Sequence, residues 1–216
     1  MKVFVVGATG ATGRHVIDQA LARGHEVLAL TRQRPAGEFP DVEVVVGDVR
    51  DHEVLHAGLA GVEAVVSCLG VRLGQNPGSV RSDGTAALVS AMTAAAVPRL
   101  VAVSSVGVGA SREWQTRTAR LLWPWLVGRE RLAEAQRAEE RISAAPAGPA
   151  WTVVRPPKLT DAAGGAPVDV GPEVRTRLGS TLSRADLARV LLDELADDRF
   201  TGMAVTAVGT GRPPGR

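Results

Sequence analysis

Val3-Phe4-Val5-Val6-Gly7-Ala8-Thr9-Gly10-Ala11-Thr12-Gly13 decides how the rest of the chain is read. Four consecutive apolar residues, Val3 to Val6, make a strand buried on both faces. The glycine run behind them makes a tight turn, and a helical pattern starts within it. Glycine has no Cβ, so the N–H groups of such a turn approach a pyrophosphate closely. The helix N-terminus faces the phosphates with its partial positive charge. Three spaced glycines alone are a weak signal. With a strand before them, a helix after them and a second strand beyond, they predict a dinucleotide site.

The pattern continues outward from that turn. A helix is predicted over Ala11–Arg23, stopped by Gly24. Strands follow at Glu26–Thr31, Val42–Val46, Ala64–Cys68 and Leu100–Ser104, with helices at Asp51–Leu59 and Ser79–Ala95 between them. Residues 111–145 read as mostly helical, broken at Pro124. Trp151–Arg155 is a sixth strand, and 156–182 reads as a Gly- and Pro-rich loop with short strands. Ser183 and Asp186 form a capping-box-like start to a helix through Ala196. Met203–Ala207 is the last strand, and 209–216 a frayed tail. The alternation predicts an α/β fold: a Rossmann-like, doubly wound parallel sheet in one domain, residues 1–216. Residues 107–135 and 156–182 form a small elaboration on the substrate side.

The composition is that of a globular domain large enough to bury a substantial core. Net charge is +2 and aromatic content 3%, so no nucleic-acid surface is expected. No run approaches the ~20 apolar residues that span a bilayer, and one Lys followed by a strand is not a secretory leader. The expected compartment is the cytoplasm, with no membrane partner, as a monomer or homodimer. Cys68 lies in an apolar run and reads as a buried structural thiol. His52 and His56 share a helical face but lack partners for a metal, so no metal is expected. The chain has no tyrosine, and only two lysines, Lys2 and Lys158.

At the end of the second strand a dinucleotide fold meets the adenosine ribose, where a carboxylate selects NAD and an arginine NADP. Here that stretch is Thr31-Arg32-Gln33-Arg34, with no acid. Arg32 stands ~20 residues after Gly13, where the discriminating side chain is expected, so the cofactor is read as NADP(H). Asp48, after the third strand, suits the adenine amino group or serves equally as a turn or N-cap. Leu69-Gly70 brings glycine to the same sheet edge, and Arg72 follows within reach of a phosphate.

These motifs resemble the atypical short-chain dehydrogenase/reductases. The likeness rests on Gly7–Gly13, Val46-Gly47-Asp48-Val49, Leu69-Gly70, Val101–Ser105, Thr152–Asp161 and Ser183–Ala188. Within that group the chain is similar to the biliverdin-IXβ reductase/flavin reductase type, with the NmrA-like regulators as neighbours. The resemblance implies that Gly7, Ala8, Thr9, Gly10, Ala11, Thr12 and Gly13 line the diphosphate. It puts Arg32 on the 2′-phosphate, Asp48 and Val49 at adenine, and Leu69 and Gly70 at the ribose. Ser104, Ser105, Pro156, Pro157 and Lys158 would border the nicotinamide.

Typical members of the group use Tyr-x-x-x-Lys as an acid/base pair; a chain without tyrosine cannot. Leu132 and Gln136 align near those positions, and neither shuttles a proton. Hydride transfer to a planar, electron-poor acceptor (a flavin, quinone or tetrapyrrole-like molecule) needs positioning more than acid catalysis. Ser105 would donate a hydrogen bond to it and Lys158 would stabilise developing negative charge, so these two are the catalytic candidates. The other reading is a non-catalytic NADP(H)-binding redox sensor or regulator of the NmrA-like type. Trp114, Trp123 and Trp125 either stack on a flat acceptor or belong to a core or dimer face.

Overall fold

A computed structural model describes residues 1–33, 42–71, 76–145 and 147–211. Ten strands and six helices follow in the order β1 (Lys2–Val6), α1 (Ala11–Ala22), β2 (Glu26–Thr31), β3 (Glu43–Val46), α2 (His52–Gly58), β4 (Ala64–Ser67), α3 (Val80–Ala94), β5 (Arg99–Val103), α4 (Arg117–Val127), α5 (Arg129–Ser143), β6 (Ala150–Arg155), β7 (Lys158–Thr160), β8 (Val168–Gly171), β9 (Thr181–Ser183), α6 (Arg184–Ala196) and β10 (Met203–Gly209). The main sheet runs β3-β2-β1-β4-β5-β6-β10-β8. Every pair in it is parallel except β10–β8 at the edge. The strand order reverses at β1, which pairs β2 on one side and β4 on the other. In an open α/β sheet the crevice at that reversal is where ligands bind.

The β-branched, apolar strands have both faces covered, as parallel strands require. On one face α1 and α6 pack Val16, Ile17, Leu187 and Leu191 against Val3, Val5 and Val66. On the other, α2, α3 and α5 pack Leu55, Leu88, Met92 and Ile142 against Phe4, Val65 and Leu100. Burial of this kind contributes ~2 kcal/mol per large side chain, so the two layers fix the sheet edge on which the site is built. Cys68 is a part of this packing, and burial pushes its thiol up to about 12.

Three expectations are corrected. The helical stretch is not broken at Pro124, which lies inside α4. The break comes at Gly128, whose φ of +97° is left-handed backbone that glycine accepts at little cost. The last strand does not stop at Ala207, and the frayed tail does not begin at Gly209. Val208 and Gly209 pair with Asp169 and Val168, and Thr210 N–H reaches Pro167 O at 2.9 Å. A short antiparallel partner, invisible in the local pattern, holds them. Among the described residues no helix is long and apolar enough to cross a membrane.

Candidate functional site

The carboxyl ends of β1 to β6 converge on one edge of the sheet. At its centre, Gly7 has φ +78°, and a Cβ there would lie 2.7 Å from Cys68 O. A Cβ on Gly13 would lie 2.3 Å from Gly7 O and 2.9 Å from Ala8 Cα. Backbone therefore packs on backbone: α1 is drawn down onto the turn, and the turn onto the end of β4. Gly10 N–H closes the turn on Gly7 O at 3.0 Å. Gly10 is the N-cap of α1, and no side chain caps that helix start. Thr9, Gly10 and Ala11 are exposed beside it, while Ala8 is buried. A bare glycine turn leading into an uncapped helix N-terminus fits a dinucleotide diphosphate.

Along the β2 and β3 ends, Gly47 N–H donates to Thr31 O at 2.8 Å, which brings Arg32 beside Asp48. Asp48 is not the N-cap of α2; Asp51 is, accepting from the N–H groups of Glu53 and Val54. Asp48 instead holds Arg50, whose Nε and Nη2 donate to its two oxygens at 2.8 and 2.7 Å. The side-chain bonds from Arg50, then its backbone N–H, pull the Asp48 carboxyl down to about 2, with Arg32 adding to the same direction. Arg32 is exposed. Sequence reading missed Arg50, although its place two residues after Asp48 in an Asp-x-Arg turn is a readable signal.

At the β4 end, Arg72 lies outside the described residues. The cation that does reach this point is Arg81 from α3. Its Nε donates to Leu69 O at 2.9 Å, and a Cβ on Gly70 would lie 2.9 Å from its Nη2. Burial lowers the Arg81 pKa, while Glu134 and Glu139 act to raise it. Nothing in the local pattern marks Arg81, because its role depends on α3 folding back over β4.

The β5 and β6 ends stay paired beyond the sheet. Ser104 N–H reaches Val154 O at 2.8 Å and Val106 N–H reaches Pro156 O at 3.1 Å. Ser104 and Ser105 thus stand beside Pro156, Pro157 and Lys158. The two prolines are buried, and Lys158 is exposed at the start of β7. Ser105 Oγ donates to Val106 O at 3.1 Å. Ser104 is 6% exposed, and its Oγ has no hydrogen-bond partner among the described residues. The same holds for Thr31 Oγ1 at the end of β2. Buried hydroxyls are normally bonded, so two orphans at strand ends suit a polar ligand along this edge. Beside Ser104 is a small cavity of ≈ 10 Å³ lined also by Ser67, Arg81 and Glu139, room for about one water.

Glu139 on α5 accepts from Arg155 Nε at 2.9 Å and Nη2 at 2.5 Å, with side chains only 10 and 8% exposed. Glu134, 2% exposed, accepts from Ser82 N–H and Ser82 Oγ and so caps α3 from a neighbouring helix. Gln136 Oε1 accepts from Gly109 N–H at 2.9 Å. Gln136, expected near the position of an acid/base pair, thus makes a structural bond, as its neighbours Glu134 and Glu139 on α5 do. The three tryptophans part company. Trp123 is buried, with Nε1 donating to Val106 O at 2.9 Å, Trp114 is half-buried, and Trp125 is 74% exposed. Residues 107–135 and 156–182 meet where Thr116 N–H bonds Thr176 O and Thr176 N–H bonds Trp114 O.

A family model described as NAD(P)H-binding matches residues 7–198. An uncharacterised chloroplast protein of Arabidopsis thaliana is 32% identical over 225 residues, covering 100% of this chain and 79% of that protein. The chain spans only 12% of the length of the mycobacterial proteins that it matches at 33% identity over 105 residues. Among solved structures, the anaerobilin reductase ChuY of Escherichia coli O157:H7 superposes with a TM-score of 0.78 at 19% identity, over 100% of both chains. A Veillonella parvula short-chain dehydrogenase/reductase in complex with NADP superposes with a TM-score of 0.80 at 16% identity, over 98% of this chain and 94% of that one. At these identities the structural likeness is one of fold.

Proposed function

The chain belongs to the NAD(P)H-binding family, and from that premise we propose that it is an NADPH-dependent reductase of a planar, electron-poor acceptor of the flavin, quinone or tetrapyrrole-like kind. The observation that carries this reading is the paired β5–β6 edge. It gathers the orphaned Ser104 hydroxyl, Ser105, two buried prolines and an exposed ammonium in one place, in a chain with no tyrosine.

Bound NADPH would supply the hydride. The residues divide the remaining work. The backbone of Gly7–Gly13 holds the diphosphate, and Arg32 holds the 2′-phosphate as a charge-assisted partner. Asp48 and Val49 border adenine, and Leu69 and Gly70 the ribose. Pro156 and Pro157 keep water from the reacting face, and Ser104 offers a hydroxyl at the nicotinamide. Ser105 turns its proton from Val106 O toward the acceptor. The Lys158 ammonium stabilises the negative charge that develops there. Such an acceptor takes its remaining proton from solvent, so the absent tyrosine is not needed. The similarity to a protein described as a reductase, ChuY, is consistent with this reading.

The test mixes protein and NADPH with FMN or dichlorophenolindophenol and follows the loss of reduced-nicotinamide absorbance. Turnover above background is expected, falling about tenfold or more in Lys158→Ala. Arg32→Ala is expected to weaken NADPH about 10- to 100-fold and leave NADH unchanged. Tight NADPH binding with turnover at background would replace the reductase with a cofactor sensor. Unchanged turnover in Lys158→Ala would remove that residue from the chemistry.

A further inference from the structure

Leu121, Leu122, Trp125 and Leu126 of α4 are 69, 44, 74 and 62% exposed. They are half of the eight large apolar side chains exposed among the described residues, and they fall within six positions of one helix. Ala119 and Trp123 anchor the helix to the body of the protein, at 1 and 7% exposure. A helix that leaves this much apolar surface bare beside its buried anchors is not built to face solvent alone. Its charges are one-sided as well. Arg117 and Arg120 lie in α4, no acid does, and Arg129 stacks over the Trp125 ring at 5.2 Å. Arg112, Arg117, Arg120, Arg129 and Arg131, against Glu113 and Glu130, leave residues 112–131 with three surplus positive charges. The whole chain carries +2, so the remainder is slightly acidic.

We propose that α4 is a membrane-docking element that lies in the headgroup layer of an anionic lipid surface. Leu121, Leu122, Trp125 and Leu126 enter the acyl boundary, and Arg117, Arg120 and Arg129 meet lipid phosphates. An apolar ridge with an interfacial tryptophan and flanking arginines is the pattern of a helix that lies on a membrane rather than spanning it. Charge selects this occupant over a second copy of the chain. Two α4 faces packed together would set Arg117, Arg120 and Arg129 of one copy against the same residues of the other. Side chains this exposed also form a ridge, whereas a docked peptide needs a groove. The expectation of no membrane partner rested on the lack of a spanning segment, which a lying helix does not require. The proposal stands apart from the reductase reading.

The test is co-sedimentation of the full chain with vesicles of equimolar phosphatidylglycerol and phosphatidylcholine, and with phosphatidylcholine alone, at low salt. Three arginines at the surface should favour the anionic vesicles on the order of 100-fold, with the preference fading as salt is raised. Trp125→Gln/Leu126→Gln and, separately, Arg117→Gln/Arg120→Gln should each weaken that binding at least about tenfold. Both pairs are exposed, so the melting temperature should hold. No sedimentation with anionic vesicles overturns the proposal. So does binding undiminished in both variants. A dimer on sizing that Trp125→Gln/Leu126→Gln dissolves, with the vesicles unbound, overturns it in favour of self-association.

Discussion

The turn between β1 and α1 and the segment that carries α4 are both needed to frame the site edge, yet they are held by different means. At the turn, Gly7, Gly13 and the end of β4 are fixed by backbone against backbone, with no room for a methyl group. At α4, position depends on a few distant side-chain and loop bonds: Trp123 to Val106, Thr116 to Thr176, and Gln136 to Gly109. The first arrangement tolerates no variation, which suits a diphosphate that is the same in every reaction. The second can be redrawn residue by residue.

The sharpest test of this contrast compares two glycine substitutions. Gly13→Val would drive a side chain into Gly7 O, where even a Cβ sits at 2.3 Å. It should cost about 4 kcal/mol or prevent folding, read by urea denaturation, and abolish NADPH binding. Gly165→Ala, in the substrate-side loop, meets nothing within 4 Å although its φ is +85°. It should cost only about 1 kcal/mol, the strain of the left-handed backbone. Equal costs at the two sites would dissolve the comparison.

The next effect concerns how the substrate side is tied to the sheet. Glu139→Gln leaves the Arg155 guanidinium, 8% exposed, without its counter-charge. Breaking a buried pair in this way should cost about 3 kcal/mol. Replacing both residues by leucine should recover much of that, because neither charge is then stranded. If the single and double variants are equally unstable, the pair contributes packing rather than electrostatics.

These two regions also mark how far the sequence could be read. The glycine turn, the β-branched strands, the helix stop at Gly24 and the helix start at Ser183 are local requirements, and each is visible in a few neighbouring residues. Pro124 misled because proline usually ends a helix. Here the stop is supplied four residues later by Gly128 and the onward path of α5. The Glu134 cap on Ser82, the Glu139–Arg155 pair and the placement of Arg81 join residues 12 to 52 positions apart. No periodicity announces such partners. The carboxylates on α5 therefore look like any charged helix face until the fold brings α3 and β6 against them.

A smaller effect should appear where the two regions touch. Trp123→Phe keeps the ring in place but removes the 2.9 Å bond to Val106 O, the residue after Ser105. A loss of about 1 kcal/mol is expected. Amide exchange should quicken along α4 more than along α1, because the glycine turn shares none of these bonds. Uniform change across both helices would mean that the two regions are not separately held.

The smallest effect lies after β3, in Asp48 and Arg50. Asp48 has an ordinary value of 3.8 and is held at about 2, first by the side-chain bonds from Arg50. A carboxyl depressed in the folded state contributes stability above its unfolded value, and loses it as pH falls through the folded one. The window is therefore about pH 4 down to about pH 2. The Asp48 side chain is 37% exposed, so solvent screening keeps the contribution to stability slight. The titration itself should still move: in Arg50→Gln, the Asp48 carboxyl followed by NMR should rise toward the ordinary range, with the backbone N–H of residue 50 and Arg32 still holding it partly down. Melting temperature at neutral pH should barely change. If Asp48 stays near 2 without the Arg50 side chain, the depression comes from the backbone N–H of residue 50 and from Arg32 instead. The β3 end would then be preset by backbone and by Arg32, as the turn after β1 is preset by its glycines.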